Sequence, residues 1–227
     1  MTIMIETAAY RAILLGTLSC KCPVTQETEA AFFEEYFRIS ESQVVEFTKI
    51  KSIADSNPAN TPVHNLLEIA SYGHDDPTDF TITIGDVLRA LGSQFHFKNM
   101  VENLTKMIVP DVPSLLVSHL LVPASLVAFE GNVRAVYASP SGEILFDNIF
   151  VPPDIEWNED DVYAVHMGTV ICALLPSQVE NLHAHLGMVT DFEHLCSQCS
   201  SVDFKDFQFY GDYYHQVEER FQRYFEE

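Results

Sequence analysis

Ser125-Leu126-Val127-Ala128-Phe129-Glu130, then Gly131-Asn132, then Val133-Arg134-Ala135-Val136-Tyr137-Ala138 is the stretch on which the fold turns. Two runs rich in β-branched and aromatic residues flank a two-residue pair with glycine first. Glycine supplies the positive φ that a type II′ turn needs at its first central position, so the spacing predicts a hairpin around Gly131-Asn132. Ser139-Pro140-Ser141-Gly142 is a second turn, leading into a strand over 143–151. After Pro152-Pro153 and an acidic loop, Val162–His166 and Thr169–Leu175 read as further strands, closed by Pro176. The expectation is an antiparallel β-meander over about 125–175.

Helical spacing flanks the meander. Ile5, Ala9, Ala12, Ile13 and Gly16 mark one face of a first helix, and Phe33, Tyr36 and Phe37 one face of a second. Ser40-Glu41-Ser42-Gln43 has the capping-box form, and Thr61-Pro62 starts another helix that Gly73 stops. Phe80–Ile84 alternates like a strand, whereas Gly85–Leu91 is helical and ends at Gly92. Phe97, Val101, Leu104 and Ile108 repeat at helical intervals. Downstream, Val179, Leu182 and Leu186 share a helical face, Phe192–Cys199 suits a short helix, and Tyr214, Val217, Phe221 and Tyr224 mark a last one. The fold class is therefore α+β, with a helical N-terminal part, the meander, and a helical C-terminal part. The layout suggests a mainly helical lobe over 1–109 and a mixed lobe over 110–227, or one continuous domain of both.

Charge is the strongest global signal. Thirty-three acidic against 12 basic residues give a net charge of −21. Divided after Leu120, the first part has 15 acidic and 8 basic residues and the second 18 acidic and 4 basic. A field of this sign repels phosphate backbones and anionic membranes and attracts basic protein surfaces. Basic residues are few and dispersed, so direct nucleic-acid binding is not expected. The opening stretch has no cationic leader and carries Glu6. The longest apolar run, Ser114–Val122, is bracketed by Pro113 and Pro123, interrupted by His119, and shorter than the ~18–20 residues of a membrane span. Five cysteines, an odd number, read as reduced thiols in the cytoplasm, the host's if the chain is viral. Acidic chains of this kind are common among viral and mobile-element proteins.

No nucleophile elbow, zincin helix, phosphate loop or dinucleotide-binding glycine motif occurs, and the expectation leans away from an enzyme. His119 and His166 are the two histidines expected to be buried. Cys196-x-x-Cys199 with His194, near His183 and His185 and joined by Cys20-x-Cys22, is the most metal-like constellation. Thiolates and imidazoles at short spacing are what a tetrahedral zinc site requires. Against it, His183 and His185 sit two apart on a helix and point to different sides. The metal candidates are thus Cys196, Cys199 and His194, with zinc the alternative to having no cofactor.

Surface features remain. Asp154-Ile155-Glu156-Trp157-Asn158-Glu159-Asp160-Asp161 sets five acids in eight residues around the only tryptophan. Aromatic side chains anchor many interfaces, so Asp154, Glu156, Trp157, Glu159, Asp160 and Asp161 are the candidate partner-binding residues. The competing expectation is that Trp157 folds into the core and the acids are a solvated loop. A second acidic–aromatic region runs from Asp203 to Tyr214. The leading expectation is a non-enzymatic acidic interaction protein, an assembly subunit or an inhibitor, compatible with an oligomer. It would dock on a basic protein surface, in one form by presenting carboxylates where nucleic-acid phosphates would sit. The alternative is a metal-stabilised or metal-dependent domain using the Cys/His cluster near 183–199.

Overall fold

Residues 2–19, 35, 36, 38, 44–46, 79–93, 97, 98, 101 and 112–204 are described by the computed structural model. Of the helices expected over 25–73, Glu35, Tyr36 and Arg38 are described and helical, whereas Val44–Glu46, expected to continue helically after the Ser40–Gln43 capping box, is a strand, because it pairs with Met4–Glu6; the rest of that stretch, the Cys20-x-Cys22 pair and the aromatic segment after Phe204 lie outside the described residues.

β1 (Thr2–Glu6) pairs antiparallel with β2 (Val44–Glu46) and parallel with β3 (Asp79–Ile82), giving a three-stranded sheet ordered β2-β1-β3. The helical spacing of Ile5 therefore misleads. Ile5 is the buried partner of Ile82 in β1, and the helix α1 begins only at Thr7 and runs to Ser19. A β-branched run of this length fits either periodicity, and pairing with a strand almost eighty positions away decides it. α1 buries Ala9, Tyr10, Ile13, Leu14 and Leu18, so it is apolar on nearly every side, as an embedded helix must be. The strand-to-helix switch near residue 83 is local chemistry. Thr83 Oγ1 and its backbone N–H donate to Asp86 Oδ2 at 2.8 and 2.9 Å, and Asp86 N–H returns to the Thr83 carbonyl at 3.1 Å. This reciprocal cap starts α2 (Ile84–Leu91).

The chain divides into two units, Met1–Ala90 and Leu91–Glu227. The second centres on a six-stranded sheet ordered β8-β7-β4-β5-β6-β9. Its strands are β4 (Val122–Phe129), β5 (Asn132–Ser139), β6 (Gly142–Ile149), β7 (Val162–His166), β8 (Thr169–Leu174) and β9 (Ser201–Asp203). All neighbours are antiparallel except β6 and β9. The expected strands are present, but they are not one meander. β4-β5-β6 is a meander, whereas the β7–β8 hairpin crosses back and adds to the far edge of β4, with Pro123 opposite Ala164. The described residues thus form an α+β protein with mixed sheets.

The first hairpin turns one residue earlier than glycine chemistry alone suggests. Phe129 faces Asn132, the loop is Glu130-Gly131, and both have positive φ, 50° and 81°. That is a type I′ turn, whose twist matches the strands it joins. Met167-Gly168 repeats the device between β7 and β8, with φ of 46° and 72°. β6 then carries one residue too many. Val133 faces Ile149, yet Ala135 faces Phe146, and Asn148 takes up the excess at φ 59°. This bulge bends the strand. Beyond it, Phe150 N–H donates to the Gly168 carbonyl at 2.8 Å, and Val170 N–H donates to the Phe150 carbonyl at 3.0 Å. The end of β6 thus meets the start of β8, and five strands curl into a small barrel.

Helices cover the inward face. α3 (Val112–His119) leads into β4, α4 (Pro176–Gly187) lies against β4, and α5 (Phe192–Ser197) lies against α3 and β6. Tyr137, Phe146, Tyr163 and Phe204 are fully buried here, each worth about 2–3 kcal/mol of transfer free energy. Phe146 and Phe204 stack with centroids 6.3 Å apart.

Two substitutions check this architecture. A Cβ at Gly168 would lie 2.8 Å from the root of the Phe204 ring, on a backbone of positive φ. Gly168→Ala should therefore cost about 2–4 kcal/mol in urea unfolding, and a loss below ~1 kcal/mol would refute this packing. Glu130→Asn, better suited to the left-handed position, should raise stability by about 0.5–1 kcal/mol in the same assay; a decrease would refute the type I′ turn.

Candidate functional site

Between Val122 and Phe204 the sequence holds twelve acidic residues and one basic residue, Arg134. Arg134 is already engaged. Its guanidinium lies 3.5 Å over the Phe129 ring and pairs with Asp147 on the neighbouring strand. Ten of the twelve acids are exposed, and only Asp147 and Asp203 are half-buried. The surface formed by residues 122–204 is therefore negative, with no lysine or arginine in that stretch left to offset it.

The densest part is the 154–161 loop that carries the chain from β6 to β7. Asp154, Glu156, Glu159, Asp160 and Asp161 are all exposed. Trp157 is half-buried, as is Ile155, so the indole is neither a free anchor nor a core residue. The loop is built rather than loose. Asn158 Oδ1 accepts from the backbone N–H groups of Asp160 and Asp161 at 2.9 and 3.1 Å, and its amide donates to the Asp161 carboxylate. Asn158 N–H donates to the hydroxyl of the fully buried Tyr163 at 2.9 Å. Ile155 N–H closes a turn on the Pro152 carbonyl at 2.9 Å. Asn158 organises the loop, and sequence reasoning named only its neighbours. The signal for it is an asparagine followed by acids, the side-chain turn former.

The candidate metal ligands sit differently from one another. Cys196 and Cys199 are buried, whereas His194 is exposed and its Nε2 lies 2.9 Å from Gln198 Nε2. Cys199 Sγ contacts Ser114 Oγ at 3.4 Å. Among the described residues no three His, Cys, Asp or Glu side chains converge as a metal site requires. His183 stacks on Tyr137 with centroids 6.1 Å apart. His119 and His166 are both buried and meet edge to face at 6.1 Å, and His119 Nδ1 lies 3.1 Å from the Leu115 carbonyl.

Burial pushes the Cys196 thiol up from 9.0 to about 11; a Ser139 hydrogen bond opposes the rise, and Cys199 and Glu193 add to it. Burial likewise pushes the Tyr137 hydroxyl up. A thiol in this state is a small hydrophobe, since the thiolate is the reactive and metal-binding form.

By sequence and by fold the chain matches no protein family, no curated protein and no solved structure. No helix among the described residues is long and apolar enough to cross a membrane.

The Cys196 environment makes alkaline stability a test of its burial. The thiol stays protonated in the folded chain above the pH at which it ionises in the unfolded one. The stability it contributes is whole below about pH 9 and drains away as pH rises towards 11. Urea midpoints measured across that window should fall more steeply for the parent than for Cys196→Ala; parallel slopes would show that Cys196 is not buried as described.

Proposed function

We propose that this chain is a non-enzymatic interaction protein that docks on a basic protein surface through the 154–161 loop. One observation carries the reading. Five exposed carboxylates are held on a loop fixed by Asn158 and Tyr163, around a half-buried tryptophan, in a unit whose single cation between residues 122 and 204 is already paired. Ordering the carboxylates before the partner arrives lowers the entropy lost on docking. The long-range field raises the encounter rate, and Trp157 with Ile155 supplies apolar area at the centre of the acidic ring.

Such docking weakens as salt screens it, because the Debye length shrinks from about 10 Å at 0.1 M to about 3 Å at 1 M. Immobilised full-length protein should retain from native extract a basic partner that elutes as salt rises. The same partner should be lost both on Trp157→Ala and on neutralising Asp154, Glu156, Glu159, Asp160 and Asp161 to their amides. Retention indifferent to salt and to both variants would sink the proposal.

A further inference from the structure

The barrel of the second unit closes only in part. Phe150 bonds the outer edge of β8 at Gly168 and Val170. Among the described residues no backbone hydrogen bond reaches Ile171–Leu174 from beyond β7, and β8 ends the sheet. One side of this stretch therefore carries strand N–H and C=O groups without a ladder partner. The one irregularity of β8, the extra residue Ile171 in its pairing with β7, separates the part closed by Phe150 from the part left open.

Proteins commonly blunt an open edge with a charge or a proline. β8 has neither within Thr169–Leu174, and Pro176 comes only after the strand, at the start of α4. Ala173 is exposed. Leu175, two residues on and still extended at φ −73° and ψ 154°, is 64% exposed and one of three large apolar residues exposed among the described residues. Positions two apart share a face of an extended chain, so this pair forms an apolar step beside the open backbone. The two ends of the acidic loop bracket the same stretch. Phe150 bonds Val170 at one end of it, and Val162, directly after Asp160 and Asp161, pairs with Leu174 at the other. Glu180, exposed on α4, adds a further carboxylate beyond Leu175.

We infer that an extended, cationic segment of the basic partner adds to β8 as a further strand. The inference rests on the loop reading and deepens it, because the carboxylates select a basic segment and the open edge sets its conformation. Main-chain bonds to Cys172–Leu174 supply the hold, an apolar side chain meets Ala173 and Leu175, and alternating lysines or arginines meet the carboxylates. A second copy of this chain would bring one acidic loop against another, and like charges disfavour it.

The probe is acetyl-Lys-Val-Arg-Val-Lys-amide, titrated into the isotope-labelled full chain. Saturable amide shifts are expected at Cys172, Ala173 and Leu174, with slowed hydrogen exchange in that stretch. N-methylation of the three central peptide residues removes donors on both peptide edges and should weaken binding at least about tenfold, as should glutamate in place of the three cations. Leu175→Ser, on a side chain already exposed, should weaken it about threefold. The inference is overturned if no saturable shift occurs at Cys172–Leu174, or if the methylated or the glutamate peptide binds as the parent peptide does. Shifts there that grow with protein concentration alone would give the edge to a second copy and overturn it equally. Amidation of the five loop acids should weaken the peptide; unchanged affinity would overturn the cationic identity of the strand. Salt-sensitive, loop-dependent retention of a partner from extract, without any shift on β8, would remove this site alone and leave the loop reading standing.

Discussion

The pairing of Phe150 with Gly168 and Val170 is the constraint on which the second unit depends. A sheet ordered β8-β7-β4-β5-β6-β9 has two edges, and an exposed edge is a template for unwanted pairing. Joining the end of β6 to the start of β8 removes part of both. The join requires β6 to bend, which the Asn148 bulge supplies, and requires the β7–β8 turn to present a carbonyl outward, which Gly168 supplies. Asn148 is in turn braced by its amide donating to Asp203 on β9 at 2.6 Å. Met167 N–H donates to the Ser118 carbonyl at 2.8 Å, tying the same turn to α3.

The acidic loop inherits its rigidity from this closure. It leaves β6 directly after Phe150 and re-enters the sheet at Val162, on the opposite side of β4. Both of its ends are therefore pinned by strands of one small barrel. Like charges crowded on a loop would otherwise spread it, and the Asn158 bonds with the Tyr163 hydroxyl hold it against that repulsion. The single lysine or arginine between 122 and 204, Arg134, lies near the first hairpin turn over Phe129, where it offsets Asp147 across the strands. The acidity is thus arranged outside the barrel and neutralised only within its sheet.

How much of this is legible in the sequence depends on whether the deciding contact is local. The strands around 125–174 follow from β-branched runs and glycine turns, and the Met167-Gly168 turn falls where the run boundaries place it. The first hairpin shows the limit. Moving the loop centre from Gly131-Asn132 to Glu130-Gly131 slips the pairing by two residues, so Leu126 and Ala135 face inward either way. The hydrophobic pattern cannot choose between them, and the twist of the type I′ turn does. The placement of β7 beside β4, the pairing of Ile5 with Ile82, and the Asn148 bulge are non-local or count-dependent, and no window of sequence carries them. The acidic loop is visible as composition, and its Asn158 clasp only weakly.

The reactive side chains are divided between core and surface. His119, His166, Cys196 and Cys199 face the interior, where burial holds the Cys196 thiol protonated, whereas His183 and His194 are exposed. His119, with Nδ1 3.1 Å from the Leu115 carbonyl, serves the core as a compact, weakly polar filler. Carboxylates occupy the hairpin tip at Glu130, the β6–β7 loop, and the exposed sides of α4 and α5. The fixed charge of residues 122–204 is thus turned mostly outward, with Trp157 half-buried in the acidic loop and the loop's two ends held by β6 and β7.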